Sequence, residues 1–313
     1  MKKTKHILNR TDCSVLVTDC TLPLGDCEKQ LISIFKEKNI PFIIAKNKAD
    51  LLTDIPKEEG AVYVSAKEKT GIEELKNAVA KLTETDTMTM KLVGDLIKPD
   101  DMVVLVTPID SAEPKGRLIL PQQQAIRDVL EANACAVVVR ETELSGVLGR
   151  IEKPALVITD SQAFARVSKD TPEDIPLTSF SILMARYKGL LDASVKGVKA
   201  IDNLKDGDKV LISEGCTHHR QCDDIGTVKL PRLIQNYTGK NINFEFTSGT
   251  EFPIDLSTYQ LVIPCGGCTL NEREMKYRLK CAEDAQLPIT NYGIAIAHMN
   301  GILERSIEIF PEL

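Results

Sequence analysis

Short β-branched runs that alternate with helix-period segments constrain the fold of this 313-residue chain more than any other feature. Ser14 to Val17, Pro41 to Ala45 and Ala61 to Val64 read as strands, with helices over Cys27 to Lys38 and Ile72 to Leu82. Alternation of this kind needs crossover connections and predicts parallel sheets, an α/β fold. A second set follows, with strands at Met102 to Val106, Cys135 to Val139 and Ala155 to Thr159 and helices near Gln122 to Glu131 and Gln162 to Val167. A third has strands at Val210 to Ser213, Ile242 to Phe246 and Gln260 to Ile263 and helices near Leu230 to Tyr237 and Asn271 to Ala285. The threonine-rich run Thr83 to Thr89 reads as a linker, Thr171 to Pro176 as a surface loop, and Ser181 to Leu191 as a helix leading out of the second set. Length and a hydrophobic content of 43% imply a sizeable core divided among two or three domains.

Charge narrows the partners. A formal net charge of -6 offers no basic field to a phosphate backbone or an anionic lipid surface, so neither nucleic acid nor membrane is expected. The basic start, Met1 to Arg10, is followed by Asp12 and Asp19 where a signal peptide needs an apolar stretch, and no apolar run reaches the roughly 18 residues of a membrane span. A cytoplasmic setting is expected. In such a reducing compartment nine cysteines are metal ligands, catalytic thiols or small core residues rather than disulfides.

Two motifs sit just beyond strand ends, where open α/β sheets bind ligands. Asn47-Lys48-Ala49-Asp50 follows the strand ending at Ala45, and Ser65-Ala66-Lys67 follows the strand ending at Val64. The Asp50 carboxylate can accept from guanine N1-H and the exocyclic amine together, a pair adenine does not offer. Asn47 would brace the loop, the Lys48 stem would cover the base, and the Ala66 amide would meet O6. An N-K-x-D alone recurs by chance, but its pairing with S-A-K at this separation is specific. The first segment resembles the second half of a small Ras-like GTPase domain. No G-x-x-x-x-G-K-[ST] occurs in the sequence, so no phosphate cradle or magnesium site accompanies the base-reading loops. A bidentate base contact is worth about 1–3 kcal/mol, whereas micromolar affinity needs roughly 8 kcal/mol. Tight GTP binding and hydrolysis by this chain alone are therefore not expected, and no catalytic residue is assigned. The missing half reads as a truncation, which would leave the Ser14 to Val17 strand as an exposed apolar edge.

Cys216 follows a strand and the Gly215 turn, and Cys265-Gly266-Gly267-Cys268 follows the strand ending at Ile263, so three thiols can meet at one sheet edge. The two glycines let the backbone bend around a metal and leave amides for sulfur, and the helix starting near Asn271 favours thiolate. On spacing alone, structural zinc held by Cys216, His218 or His219, Cys265 and Cys268 is the better match, with Cys222 a further candidate. Cys135 in an apolar strand and Cys281 in a helix read as core residues. Cys13, Cys20 and Cys27 fall on strand, loop and helix and form no site. His298, alone in an apolar stretch, reads as a satisfied core histidine.

The order of these features, a GTPase half, a middle α/β segment, then Cys216-Thr217-His218 and a distant Cys265-Gly266-Gly267-Cys268, resembles the HydF family that matures FeFe-hydrogenase. The stretch from Pro114 to Gln124 is similar to that family's dimerisation domain, and the tail Asn291 to His298 is similar as well. The resemblance implies residues 1–86 as a partial GTPase domain, 90–180 as an α/β dimerisation domain and 181–313 as an α/β iron-sulfur domain. It gives Cys216, Cys265 and Cys268 a 4Fe-4S cluster, reversing the preference for zinc. The family pattern has histidine before its C-x-x-C, but Pro264 stands there in this sequence. The fourth iron position is then open to water or met by His218 or His219. The resemblance further implies a homodimer that carries a two-iron precursor with carbonyl and cyanide ligands, radical-SAM maturases upstream, apo FeFe-hydrogenase as recipient, and GTP as a regulator of these exchanges. The alternative is a zinc-stabilised interaction module derived from a GTPase.

Overall fold

A computed structural model describes residues 8, 11, 13–56, 58, 60–83, 91–109, 118–215, 224–249, 251–311 and 313. The chain divides into two compact units, Met1–Thr89 and Met90–Leu313.

In the first unit, β1 (Ser14–Asp19), β2 (Phe42–Asn47) and β3 (Ala61–Tyr63) form a parallel sheet in that order. Helix α1 (Asp26–Glu37) crosses between β1 and β2, and α2 (Ile72–Thr83) follows β3. Leu16 from β1 and Phe35 from α1 are buried with Leu8 and Ile40 in a small core. The register sets Asp19 opposite Asn47, so the ends of both strands open at one level of the sheet. Among the described residues β1 pairs only with β2, and Val15 and Val17 lie 40% and 62% exposed on it. The expected apolar edge is present.

The second unit holds two parallel sheets over one continuous apolar core that runs from Leu92 to Phe310. The first sheet has the order β5-β4-β6-β7, from β4 (Met102–Val106), β5 (Cys135–Val139), β6 (Leu156–Thr159) and β7 (Leu177–Ser179). Its helices are α3 (Leu120–Glu131), α4 (Leu144–Leu148), α5 (Phe164–Asp170) and α6 (Phe180–Tyr187). Helix α7 (Leu191–Gly197) leads to the second sheet, ordered β10-β8-β9, from β8 (Lys209–Ser213), β9 (Asn243–Thr247) and β10 (Leu261–Pro264). Helices α8 (Leu230–Thr238), α9 (Glu272–Asp284), α10 (Tyr292–Met299) and α11 (Leu303–Ile307) complete it. No helix among the described residues is long and apolar enough to cross a membrane.

The structure corrects several expectations. Strand β7 has only three residues and no alternation, so nothing local marked it, yet Leu177 pairs with Val157 of β6 and all three residues are buried. The helix expected over Ser181 to Leu191 breaks at Gly189, which takes φ +73° and closes a glycine C-cap. Cys135 is exposed rather than a core residue, because β5 lies at the sheet edge. Cys281 is buried as expected. His298 is half-buried, its Nε2 3.0 Å from Asp202 Oδ1.

Candidate functional site

The Asn47–Asp50 and Ser65–Lys67 motifs come together at the end of the first sheet. Asn47 closes β2, and its Oδ1 accepts from the Ala66 amide at 3.0 Å, which ties the two loops. The Ser65 hydroxyl donates to Asp50 Oδ1 at 2.5 Å and holds the Asp50 carboxyl below the usual carboxylate range. Lys48 adopts φ +67°, a left-handed turn, and its Nζ meets Asp19 Oδ2 at 2.6 Å. That ammonium, with the Thr21 hydroxyl and amide, lowers the Asp19 carboxyl to about 2. Gly71 permits the return of the chain: a Cβ there would lie 2.2 Å from Tyr63 O. Lys67 stays at the surface against Glu68. The Ala66 amide is engaged by Asn47, so a guanine O6 would have to compete with that contact.

The second constellation lies beyond the ends of β8 and β10. Pro264 ends β10, an edge strand, where its missing N-H removes no inner ladder bond. Cys265 follows, and its Sγ accepts from the Gly215 amide at 3.0 Å and from the Gly267 amide at 3.4 Å. Thr269 Oγ1 donates to Gly215 O at 3.1 Å, so Gly215 is clamped from both sides onto the cysteine turn. The glycines are sterically needed. A Cβ at Gly215 would fall 2.8 Å from Leu270 Cγ, and one at Gly267, which has φ +63°, 2.5 Å from Met275 Sδ. Asn271 caps α9, its Oδ1 accepting from the Glu274 amide at 2.8 Å, so the positive end of that helix faces the turn.

Two cations flank the thiols. The Arg278 side chain is fully buried and donates to Ser213 Oγ at 2.9 Å and to Gly249 O at 2.5 Å. Lys188 is buried at the end of α6 and donates through Nζ to Leu270 O at 2.9 Å. Burial raises both cysteine thiols above their ordinary value, against the amides at Cys265 and against Lys188 at Cys268. Uptake of a metal must therefore displace protons. Sulfur acceptors for backbone amides, glycines that a side chain would displace and two buried cations suit an anionic thiolate-bound group such as a 4Fe-4S cluster. Cys216, His218, His219 and Cys222 lie outside the described residues. Among the described residues no group of three or more His, Cys, Asp or Glu side chains forms a metal site. Lys188 and Arg278 escaped the sequence reading, since a single lysine and a single arginine on helices carry no signal before the helices are docked.

The wall beside the turn is built by α6 of the same unit, through Ser181 and Met184. Ser181, in α6, accepts the Gly293 amide at 3.2 Å through Oγ, and its carbonyl accepts from Asn291 Nδ2 at 2.9 Å. A Cβ on Gly266 would lie 3.6 Å from Ser181 Oγ.

Comparison with known proteins adds three findings. Residues 92–189 match the family model of the Hydrogen maturase F dimerization domain, and residues 192–309 match that of the Hydrogen maturase F tetramerization domain. The tRNA modification GTPase MnmE of Coxiella burnetii, in the Dugway 5J108-111 and RSA 493 / Nine Mile phase I strains, is 31% identical over 83 residues. That match covers 25% of this chain and 18% of the relative, so the chain spans under a fifth of the length of the curated relatives it matches.

Proposed function

The chain belongs to the hydrogen maturase F family, which places its role in hydrogenase maturation and gives it self-association modules, and from that premise we propose that it is an iron-sulfur scaffold. Cys216, Cys265 and Cys268 hold a 4Fe-4S cluster. The scaffold carries a two-iron precursor, received from radical-SAM maturases, to apo FeFe-hydrogenase. The observation that supports this best is the clamp on Gly215. Gly215, which precedes Cys216 in the sequence, gives its amide to the sulfur of Cys265, a contact between stretches fifty residues apart.

In this reading the cluster supplies one-electron chemistry and an iron that accepts an exchangeable ligand. The chain's own groups do the rest. The Gly215 and Gly267 amides fix the Cys265 sulfur, and Arg278 and Lys188 offset negative charge. Pro264 offers no side-chain donor, which leaves the fourth position to His218, His219 or water. The first unit reads guanine through Asp50 and Ser65, with Asn47, Lys48, Ala66 and Lys67 around it, and binds GTP weakly. Self-association in the 92–189 segment runs through β5, an apolar edge strand with Cys135 and Val138 exposed and no charged residue to blunt it.

Anaerobic reconstitution with iron and sulfide tests the scaffold. The expected product is an oxygen-sensitive brown chromophore, with iron content sharply reduced in Cys265→Ser. Stoichiometric zinc in protein purified without oxygen, together with no cluster uptake, would overturn the reading and leave the zinc-stabilised module.

A further inference from the structure

Lys188 ends α6, in the segment matched by the dimerization model, yet its side chain reaches the cysteine turn of the segment matched by the tetramerization model. The residue is 8% exposed, and its Nζ donates to Leu270 O, two residues beyond Cys268. Burial works against its charge. No carboxylate forms an ion pair with it among the described residues, and Glu272, which acts on it at longer range, is paired with Lys276 at 2.5 Å. A buried ammonium held by a carbonyl and lying over the Tyr187 ring is costly to keep unless an anion completes its surroundings. The anion that the neighbouring residues suit is a thiolate-bound cluster.

We propose that Lys188 is a positioning residue that sets the reduction potential of the cluster, favouring its reduced form by placing a fixed positive charge beside the Cys268 turn. This rests on the scaffold reading above. In the step concerned, one electron from a dithionite-class reductant converts the 2+ cluster core to the 1+ core, with no bond broken and no proton or ligand released. The reduced cluster carries one more negative charge, so a nearby cation stabilises it relative to the oxidised one. A full charge roughly 12 Å from the added electron, in an effective dielectric of about 20, changes such a ratio by about tenfold.

The test uses the full chain, reconstituted anaerobically and titrated with dithionite and mediators while EPR follows the reduced cluster. At the potential where half of the wild-type cluster is reduced, the ratio of reduced to oxidised cluster should fall about tenfold in Lys188→Met, a shift of about 59 mV for a one-electron couple. Lys188→Gln, which keeps a donor for Leu270 O but has no charge, should behave alike and covers the case in which the methionine variant does not fold. Lys188→Arg should stay within about twofold of wild type. Ratios within about twofold of wild type in the neutral variants, or an arginine variant shifted as far as they are, would overturn the proposal with the cluster still in place. Wild-type protein that takes up no cluster would instead overturn the scaffold reading, and this inference with it.

Discussion

Two glycines in the same unit should respond in opposite directions to one added methyl group. Gly293 lies in the first turn of α10, where a Cβ would come within 2.6 Å of Ser181 Cβ and 2.8 Å of its Oγ, and within 3.0 Å of Ser161 Oγ. Ordinary contact needs about 3.4 Å or more, so Gly293→Ala must push the helix off Ser181 or strain both. Overpacking of this kind costs about 1–3 kcal/mol, while replacing a helical glycine returns up to about 1 kcal/mol. A net loss of about 1–2 kcal/mol follows, or roughly 2–8 °C in melting temperature for a unit of this size. Gly146, in α4, has nothing within 4 Å of its added Cβ, so Gly146→Ala should stabilise by about 0.4–1 kcal/mol. Urea denaturation followed by circular dichroism measures both. Ser181→Gly in the Gly293→Ala background removes the obstructing Cβ and Oγ and should recover part of the loss, a coupling above about 0.5 kcal/mol. Equal signs for the two alanine variants, or no recovery in the double variant, would refute the steric reasoning.

Other outcomes follow from single contacts. On the proposed function the first unit prefers guanosine weakly over adenosine. Asp50→Asn puts an amide donor in place of one carboxylate acceptor and weakens the Ser65 contact, so that preference, read by ligand-detected NMR, should vanish; an unchanged preference counts against the proposed base-reading loop. The folded Asp19 carboxyl lies below its unfolded value of 3.8, so the Lys48 contact contributes stability above about pH 4 and loses it as pH falls through about 2. A carboxyl-carbon NMR titration with a midpoint near 3.8 would contradict this. Arg186 is 7% exposed and holds Asp95 at 3.0 and 2.6 Å, so Asp95→Ala removes two charge-assisted hydrogen bonds from a buried guanidinium. Because Asp95 is itself 39% exposed, the loss should be about 2 kcal/mol rather than the full cost of a broken buried pair. Thermal unfolding unchanged by more than 1 °C would speak against it. Val138→Lys, on the β5 edge, should shift the chain toward smaller species in light scattering; an unchanged distribution would place self-association elsewhere.

Strands with strong local pattern were legible in the sequence. Met102–Val106 and Cys135–Val139 are bounded where their apolar runs begin and end, because a run of β-branched residues is excluded from most other conformations. The Asn47–Asp50 and Ser65–Lys67 loops were legible in position as well, since each follows directly on a strand. Residues around the cysteines divide differently. Gly215, Cys265 and Cys268 announce themselves by spacing, but Lys188 and Arg278 become part of the site only when α6 and α9 pack against the turn.

By itself the sequence determined the α/β class, the strands and the residue types able to grip a metal or a base, because these follow from side-chain period and chemistry over a few neighbouring positions. Only the tertiary structure decided that β5 is an edge and Cys135 exposed, that Leu177–Ser179 is a strand, and that two cations flank the thiols. Strand order and helix docking join residues tens of positions apart, and no local pattern carries the free energy of those contacts.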